Sequence, residues 1–410
     1  MALLAALASL GVLTAIASAA GGSGGAAAGG GTDTTSTTTT PTGTTPAPGP
    51  MPRTGFHAPG MWIWQLPRSS GGKPQAIASK ARHYHLKTVF IKSSDGRNAW
   101  KQFTSGLVRS LHAGGLRVCA WQYVYGRYPS TEAALGARAK RIGADCLVID
   151  AEMEYEGRYG SAQSYMSALR KAVGGGYPVG LAGFPYVDYH PAFPYSVFFG
   201  PGGAQYNLPQ MYWKAIGTTV DRVYGHTYRF NRPYARPIAP LGQLYMRPRQ
   251  AEIVRFRQLA RAFRAPGLSW WDWQEASASS WHAVGQSIKS IRGYHASGAY
   301  ATLGRGGRGD LVVWAQQHLR SAGLNVRVDG VFGSGMQHVV RVFQSQHALT
   351  VNGKVDTPTW RALLRYSAAR VRWSGNGRRA HTTSAGSSAA GAPRSASLPA
   401  VRREIPPKRH

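Results

Sequence analysis

The chain has 410 residues, enough for two or three domains, and its 43% hydrophobic and 11% aromatic content excludes wholesale disorder. Lys and Arg number 48 against 17 Asp and Glu, a net charge of +31, so the counterparts such a chain seeks are polyanions: nucleic acid, anionic lipid or a phosphate-rich wall. Its 2 cysteines exclude a disulfide scaffold and a four-thiolate zinc site.

The chain opens on an apolar run that ends in Ala17-Ser18-Ala19, a small-x-small cleavage signature. Residues 1–19 read as a signal peptide cleaved after Ala19. The alternative is an uncleaved anchor, because a run of this length can just span a bilayer. Both readings put the remainder outside the cytoplasm, secreted or associated with a cell wall. Residues 20–55 are Gly, Ala, Thr and Pro almost throughout and read as a tether.

From residue 56 to 298, short apolar runs alternate with helical patterns. Strands are expected at Met61–Gln65, Thr88–Lys92, Arg117–Tyr125, Cys146–Glu152, Val179–Phe184, Leu208–Trp213, Pro237–Leu244 and Leu268–Trp273. Amphipathic helices are expected between them, as at Ser161–Val173 and Arg249–Phe263. This rhythm predicts an α/β fold of the (β/α)8 barrel type. An open doubly wound sheet is the alternative, but no glycine-rich phosphate loop follows the first strand. Chemistry in a barrel sits at the C-terminal ends of the strands.

Acids crowd the fourth strand and its exit: Asp145, Asp150, Glu152, Glu154 and Glu156. Strand side chains alternate, so Cys146, Val148, Asp150 and Glu152 share one face, expected to point into the barrel. Two carboxylates there repel, raising the pKa of one, which suits glycosidic bond cleavage. Glu154 and Glu156 read as a solvated loop. Cys119 and Cys146 fall on neighbouring strands; an oxidising compartment would allow them to pair, but bridging neighbouring parallel strands strains the bond, so they read as buried free thiols. His83 and His85 read as surface, and Asp188-Tyr189-His190 as a surface loop. With no metal-ligand spacing and no cofactor motif, neither metal nor cofactor is expected.

The stretch Asp145-Cys-Leu-Val-Ile-Asp150-Ala-Glu152 resembles the fourth-strand signature of chitinase-type glycoside hydrolases of family 18. Val148 replaces one acid of that signature. Gln210-Met211-Tyr212 resembles the family's sixth strand, one residue tighter, and Trp270-Trp271-Asp272-Trp273 its eighth. The Asp-x-Glu pair is also similar to that of the muramidases of family 25, although the first strand lacks their further Asp. The family 18 resemblance implies Glu152 as the acid that protonates the glycosidic oxygen. Asp150 would orient the substrate's N-acetyl group as it attacks the anomeric carbon, and Tyr212 would hold the acetamido oxygen. Trp64, Trp121, Tyr123, Gln210, Gln243, Trp271 and Asp272 complete the expected substrate-binding set, the aromatic members being residues that stack on sugar faces.

Residues 299–366 carry a pseudo-repeat. Leu311–Leu319 precedes the turn dipeptide Asp329-Gly330, and a second helix through Val339–Gln344 precedes Asn352-Gly353. A third helix enters at Thr357-Pro358, with Thr357 as the expected cap. This segment closely resembles the three-helix peptidoglycan-binding domain of secreted wall hydrolases. Residues 367–410, rich in Ser, Ala and Arg, read as a disordered basic tail. Together these readings predict a wall-associated glycoside hydrolase of N-acetylated glycans, with peptidoglycan and anionic wall polymers as partners. A monomer is expected and no nucleic acid partner. The rival is a wall-binding protein with a degenerate barrel.

Overall fold

The computed structural model describes residues 54–374. The expected signal peptide, most of the first tether and the tail beyond 374 lie outside the described residues. Eight parallel strands form the barrel: β1 Gly60–Ile63, β2 Thr88–Asp95, β3 Arg117–Val124, β4 Cys146–Ala151, β5 Val179–Gly183, β6 Tyr206–Pro209, β7 Leu241–Gln243 and β8 Ser269–Trp271. They hydrogen-bond in the order β6-β5-β4-β3-β2-β1-β8-β7. Single parallel bridges, Asn207 to Ile238 and Gln210 to Leu241, join β6 to β7, so the ring is nearly closed. Helices α1 Pro74–His83, α2 Ser105–Ala113, α3 Pro129–Ile142, α4 Tyr159–Val173, α5 Val220–Asn231, α6 Gln250–Ala262 and α7 Ala278–Gly285 cover the outside.

Alternation along each strand sorts two cores. On β4, Leu147, Ile149 and Ala151 pack outward under the helices, while Cys146 and Val148 join Trp62, Phe90, Trp121, Tyr123 and Leu208 in the barrel interior. Local signals set the helix ends. Thr104 caps α2 by accepting from the Leu107 amide, and α3 begins at Pro129 and stops at Gly143, whose φ of 103° is left-handed.

The thiol expectation needs correction. Cys119 and Cys146 are register partners on β3 and β4 with Cα atoms 4.5 Å apart, and their sulfurs are bonded. Direct opposition on neighbouring strands brings the two Cβ atoms close enough to bridge, a proximity that adjacency in the strand order alone does not disclose.

Three further helices follow: α8 Asp310–Ser321, α9 Ser334–Gln346 and α10 Thr357–Leu363. The pseudo-repeat has a physical basis. Gln316 of α8 accepts from the amides of Asp329 and Gly330, and Gln344 of α9 accepts from the amide of Gly353. Each glutamine clamps a turn whose glycine has a φ near +70°. The cap of α10 is Asp356 rather than Thr357. Its carboxylate accepts from the Thr359 amide, while the Thr357 hydroxyl accepts from the Tyr300 amide.

The helical region is fastened to the barrel. Asp310, the first residue of α8, is wholly buried and accepts from the amide and hydroxyl of Ser196 and from the Tyr234 hydroxyl, at 2.6–2.8 Å. The Trp314 indole donates to the Pro233 carbonyl at 2.6 Å. Residues 367–373, read as the start of the tail, also pack back. Trp373 lies against Tyr159, and Gln163 holds the backbone of Val371 and Trp373.

Candidate active site at the C-terminal mouth of the barrel

A cavity of about 410 Å³ opens where the strands end. Its floor is three indoles. Trp62, Trp121 and Trp271 lie with ring centres 5.3–5.8 Å apart, the Trp62 indole donating to Ser269 and that of Trp121 to the Ile63 carbonyl. Both bonds fix ring orientation; Trp62, stacked on Phe90, and Trp121, covered by the Lys92 ammonium, are buried, and Trp271 is the half-buried indole of the three. Trp64, Tyr123, Tyr125, Tyr212 and Tyr245 form further walls.

Asp150 and Glu152 sit at the end of β4, as alternation requires. A single side-chain amide spans them: Gln210 Nε2 donates to Asp150 Oδ1 at 3.0 Å and to Glu152 Oε1 at 2.8 Å. Asp150 is buried and opposes Tyr123 in register, whereas Glu152 is half-buried and lines the cavity. Burial, then the neighbouring Glu152 charge, pushes the Asp150 carboxyl well above the usual carboxylate range; Lys92 and the Gln210 bond oppose this. The pair therefore holds a proton at pH values where free carboxylates have lost theirs. The Tyr123 hydroxyl donates to Glu154 at 2.9 Å, and burial together with three nearby acids raises its pKa, so it remains a donor.

Of the ten residues expected from sequence, Asp150, Glu152, Tyr212, Trp64, Trp121, Tyr123, Gln210 and Trp271 line this cavity, and two do not. Gln243 is spent on backbone: its Oε1 accepts from the Lys214 and Ala215 amides and its Nε2 donates to the Tyr245 carbonyl. Asp272 follows Trp271, so alternation turns it away from the cavity. There it is buried, accepts from Gln274 and the Glu275 amide, and burial raises it to about 7.

The cavity also contains residues the sequence reading passed over. Lys92 is buried under Trp121, pairs with Asp95 at 2.7 Å, and Asp95 also accepts from Tyr125. Phe90 and Lys92 share the inward face of β2, a pattern that could have revealed the lysine. Glu154 lines the cavity rather than standing free in solvent. Glu156, Asp188 and His190 are occupied elsewhere, in the pairs His190–Glu156 and His226–Asp188. Among the described residues no group of three or more His, Cys, Asp or Glu side chains is placed to hold a metal ion.

The C-terminal helices match a known domain family. Residues 308–363 match the family model described as putative peptidoglycan binding domain. This peptidoglycan-binding domain spans α8 to α10, the region fastened to the barrel through Asp310. No curated protein matches the chain. Solved structures resemble it distantly. The spore cortex-lytic enzyme SleL of Bacillus cereus has a TM-score of 0.42 at 9% identity, covering 57% of this chain and 75% of its own. A class V chitinase of Pseudomonas fluorescens Pf-5 has a TM-score of 0.44 at 9% identity, covering 55% and 98%. A family 25 glycosyl hydrolase of Bacillus anthracis has a TM-score of 0.28 at 17% identity, covering 37% and 69%. Likeness this distant assigns no activity to the barrel.

Proposed function

We propose that the chain is a secreted, wall-associated glycoside hydrolase acting on an N-acetylated glycan, which its peptidoglycan-binding domain holds close. The observation that carries the reading is the Asp150–Glu152 pair bridged by one amide inside an aromatic-walled cavity. Glu152, facing the cavity, gives its proton to the glycosidic oxygen as that bond breaks. The substrate's acetamido oxygen attacks the anomeric carbon, with Asp150 orienting the acetamido group and Tyr212 holding its oxygen. Water then opens the cyclised intermediate, returning a proton to Glu152. Substrate assistance removes the need for a second enzyme carboxylate as nucleophile, and β7 offers Gln243 and no acid. The half-buried rings of Trp271 and Trp64 would stack against the sugar. Attachment through the peptidoglycan-binding domain raises the local substrate concentration. The N-terminal apolar run supports secretion.

The test is release of reducing ends from purified peptidoglycan and, separately, chitin, by the wild type and by Glu152→Gln, both first checked for wall binding. Release that disappears in Glu152→Gln supports the reading. Binding without release from either polymer sinks it. A second reading, a wall-binding protein whose barrel has lost catalysis, is favoured by Val148, which is buried in the interior at a position where the family 18 signature has an acid.

A further inference from the structure

Three shallow depressions continue from the cavity, two beside the mouth and the third down the length of α4, and each shares walls with the next. The first shares Asp95 and Tyr125 with the cavity, the second shares Arg127 with the first, and the third shares Ser164 and Trp373 with the second. The third is also lined by Gln317 of α8, so the groove runs from the candidate catalytic pair to the peptidoglycan-binding domain.

Charge changes sign along this path. The cavity presents Glu152 and Glu154. The groove presents Arg97, Arg127, Arg158, Arg370 and Arg372. Its two carboxylates are already engaged: Asp95 with Lys92 and Tyr125, and Glu132 with the amides of Tyr125 and Gly126. Arg170, also in its wall, is tied to the carbonyls of Tyr177 and Gly203. The Arg97 guanidinium sits over the exposed ring of Tyr128, 4.2 Å from its centre, which holds it at the surface.

A neutral polymer would leave the arginines of this groove without a counter-charge, and a uniformly anionic one would meet the acids at the cavity. The ligand that satisfies both ends carries an N-acetylated sugar at Glu152 and carboxylates some distance along. We propose that the groove binds the carboxylates of an acidic, peptide-substituted glycan strand, and that the substrate is therefore peptidoglycan rather than neutral chitin. This rests on the glycosidase reading for the role of the cavity, but its test does not need catalysis.

The experiment uses the full chain carrying Glu152→Gln, with and without Arg97→Gln, Arg127→Gln and Arg158→Gln together. Tryptophan fluorescence reports binding, since Trp121 and Trp271 line the cavity and Trp373 the groove. The probes are peptide-bearing tetrasaccharides from peptidoglycan, the same fragments with carboxylates amidated, and chitotetraose. The triple change removes three exposed ion pairs and weakens the acidic fragment roughly 10-fold. Amidation weakens it similarly on the Arg-bearing chain and adds little on the triple variant. Chitotetraose binding stays unchanged, which also shows that the variant is folded. Equal affinity of both chains for the acidic fragment, or no binding of it by either, overturns the proposal. Failure of the glycosidase reading looks different: the chain with Glu152 intact releases no reducing ends although the Arg-dependent binding is present.

Discussion

Replacing Asp310 with asparagine should abolish a specific pH dependence of stability. Asp310 is wholly buried between α8 and the barrel, and loss of hydration raises its carboxyl to about 6 against an ordinary 3.8, even though Ser196, Tyr234 and Tyr159 donate to it. Below the ordinary value both the folded and unfolded chains carry the proton, and the buried neutral acid costs nothing extra. Between 3.8 and about 6 the folded chain binds the proton and the unfolded chain does not, so stability falls as pH rises. Above about 6 the loss is complete. A difference of about two pH units corresponds to roughly 3 kcal/mol at 1.36 kcal/mol per unit. Denaturant unfolding of the wild type and Asp310→Asn at pH 4, 5, 6 and 7 measures it. The asparagine loses some stability at low pH, because its amide N–H faces donors, but its difference from the wild type should shrink by roughly 2.4 kcal/mol between pH 4 and 7, the rest of the effect falling below pH 4. Parallel profiles across that range would refute the reasoning and show that the four hydrogen bonds fully replace the lost hydration.

Lys92→Met removes the cation that opposes the rise of the Asp150 pKa, so protons stay on the pair to higher pH. The optimum for reducing-end release should move upward; an unchanged profile would mean that Lys92 does not act on the pair. The double change Cys119→Ala and Cys146→Ala opens a loop with a sequence separation of 27 and should cost about 3 kcal/mol, read as a lower denaturant midpoint. Gly55→Ala should destabilise too, because its Cβ would stand 2.5 Å from Cys119 Sγ; thermal unfolding measures the loss.

The barrel was legible because period-two alternation and helical period switch where the elements switch. β4 shows it best: three outward apolar residues interleave with Cys146, Val148 and Asp150, so the orientation of the acids followed from parity alone. Parity also explains the misses. Asp272 has the opposite parity to Trp271 and could have been set aside on that ground. Gln243 points as its strand requires, but the short helix Trp213–Ile216 claims its side chain, and no local pattern discloses a partner about 30 residues away. Asp95 lies beyond a break in the β2 register between Lys92 and Ser94, where alternation stops being a guide. Tyr245, Met246 and Glu275 reach the cavity from loops, whose paths depend on packing rather than period.

The bond between Cys119 and Cys146 sits two repeats of the pleat deeper than the site, and the same two strands carry Tyr123 opposite Asp150 four residues further up. Four residues of strand span about 13 Å. Sliding β4 by one residue against β3 would send Asp150 outward under the helices and bring Ile149 into the cavity. A covalent pin at the base forbids that slide. Reduction would leave the alignment of the carboxylates to the strand hydrogen bonds and the two buried faces of β4.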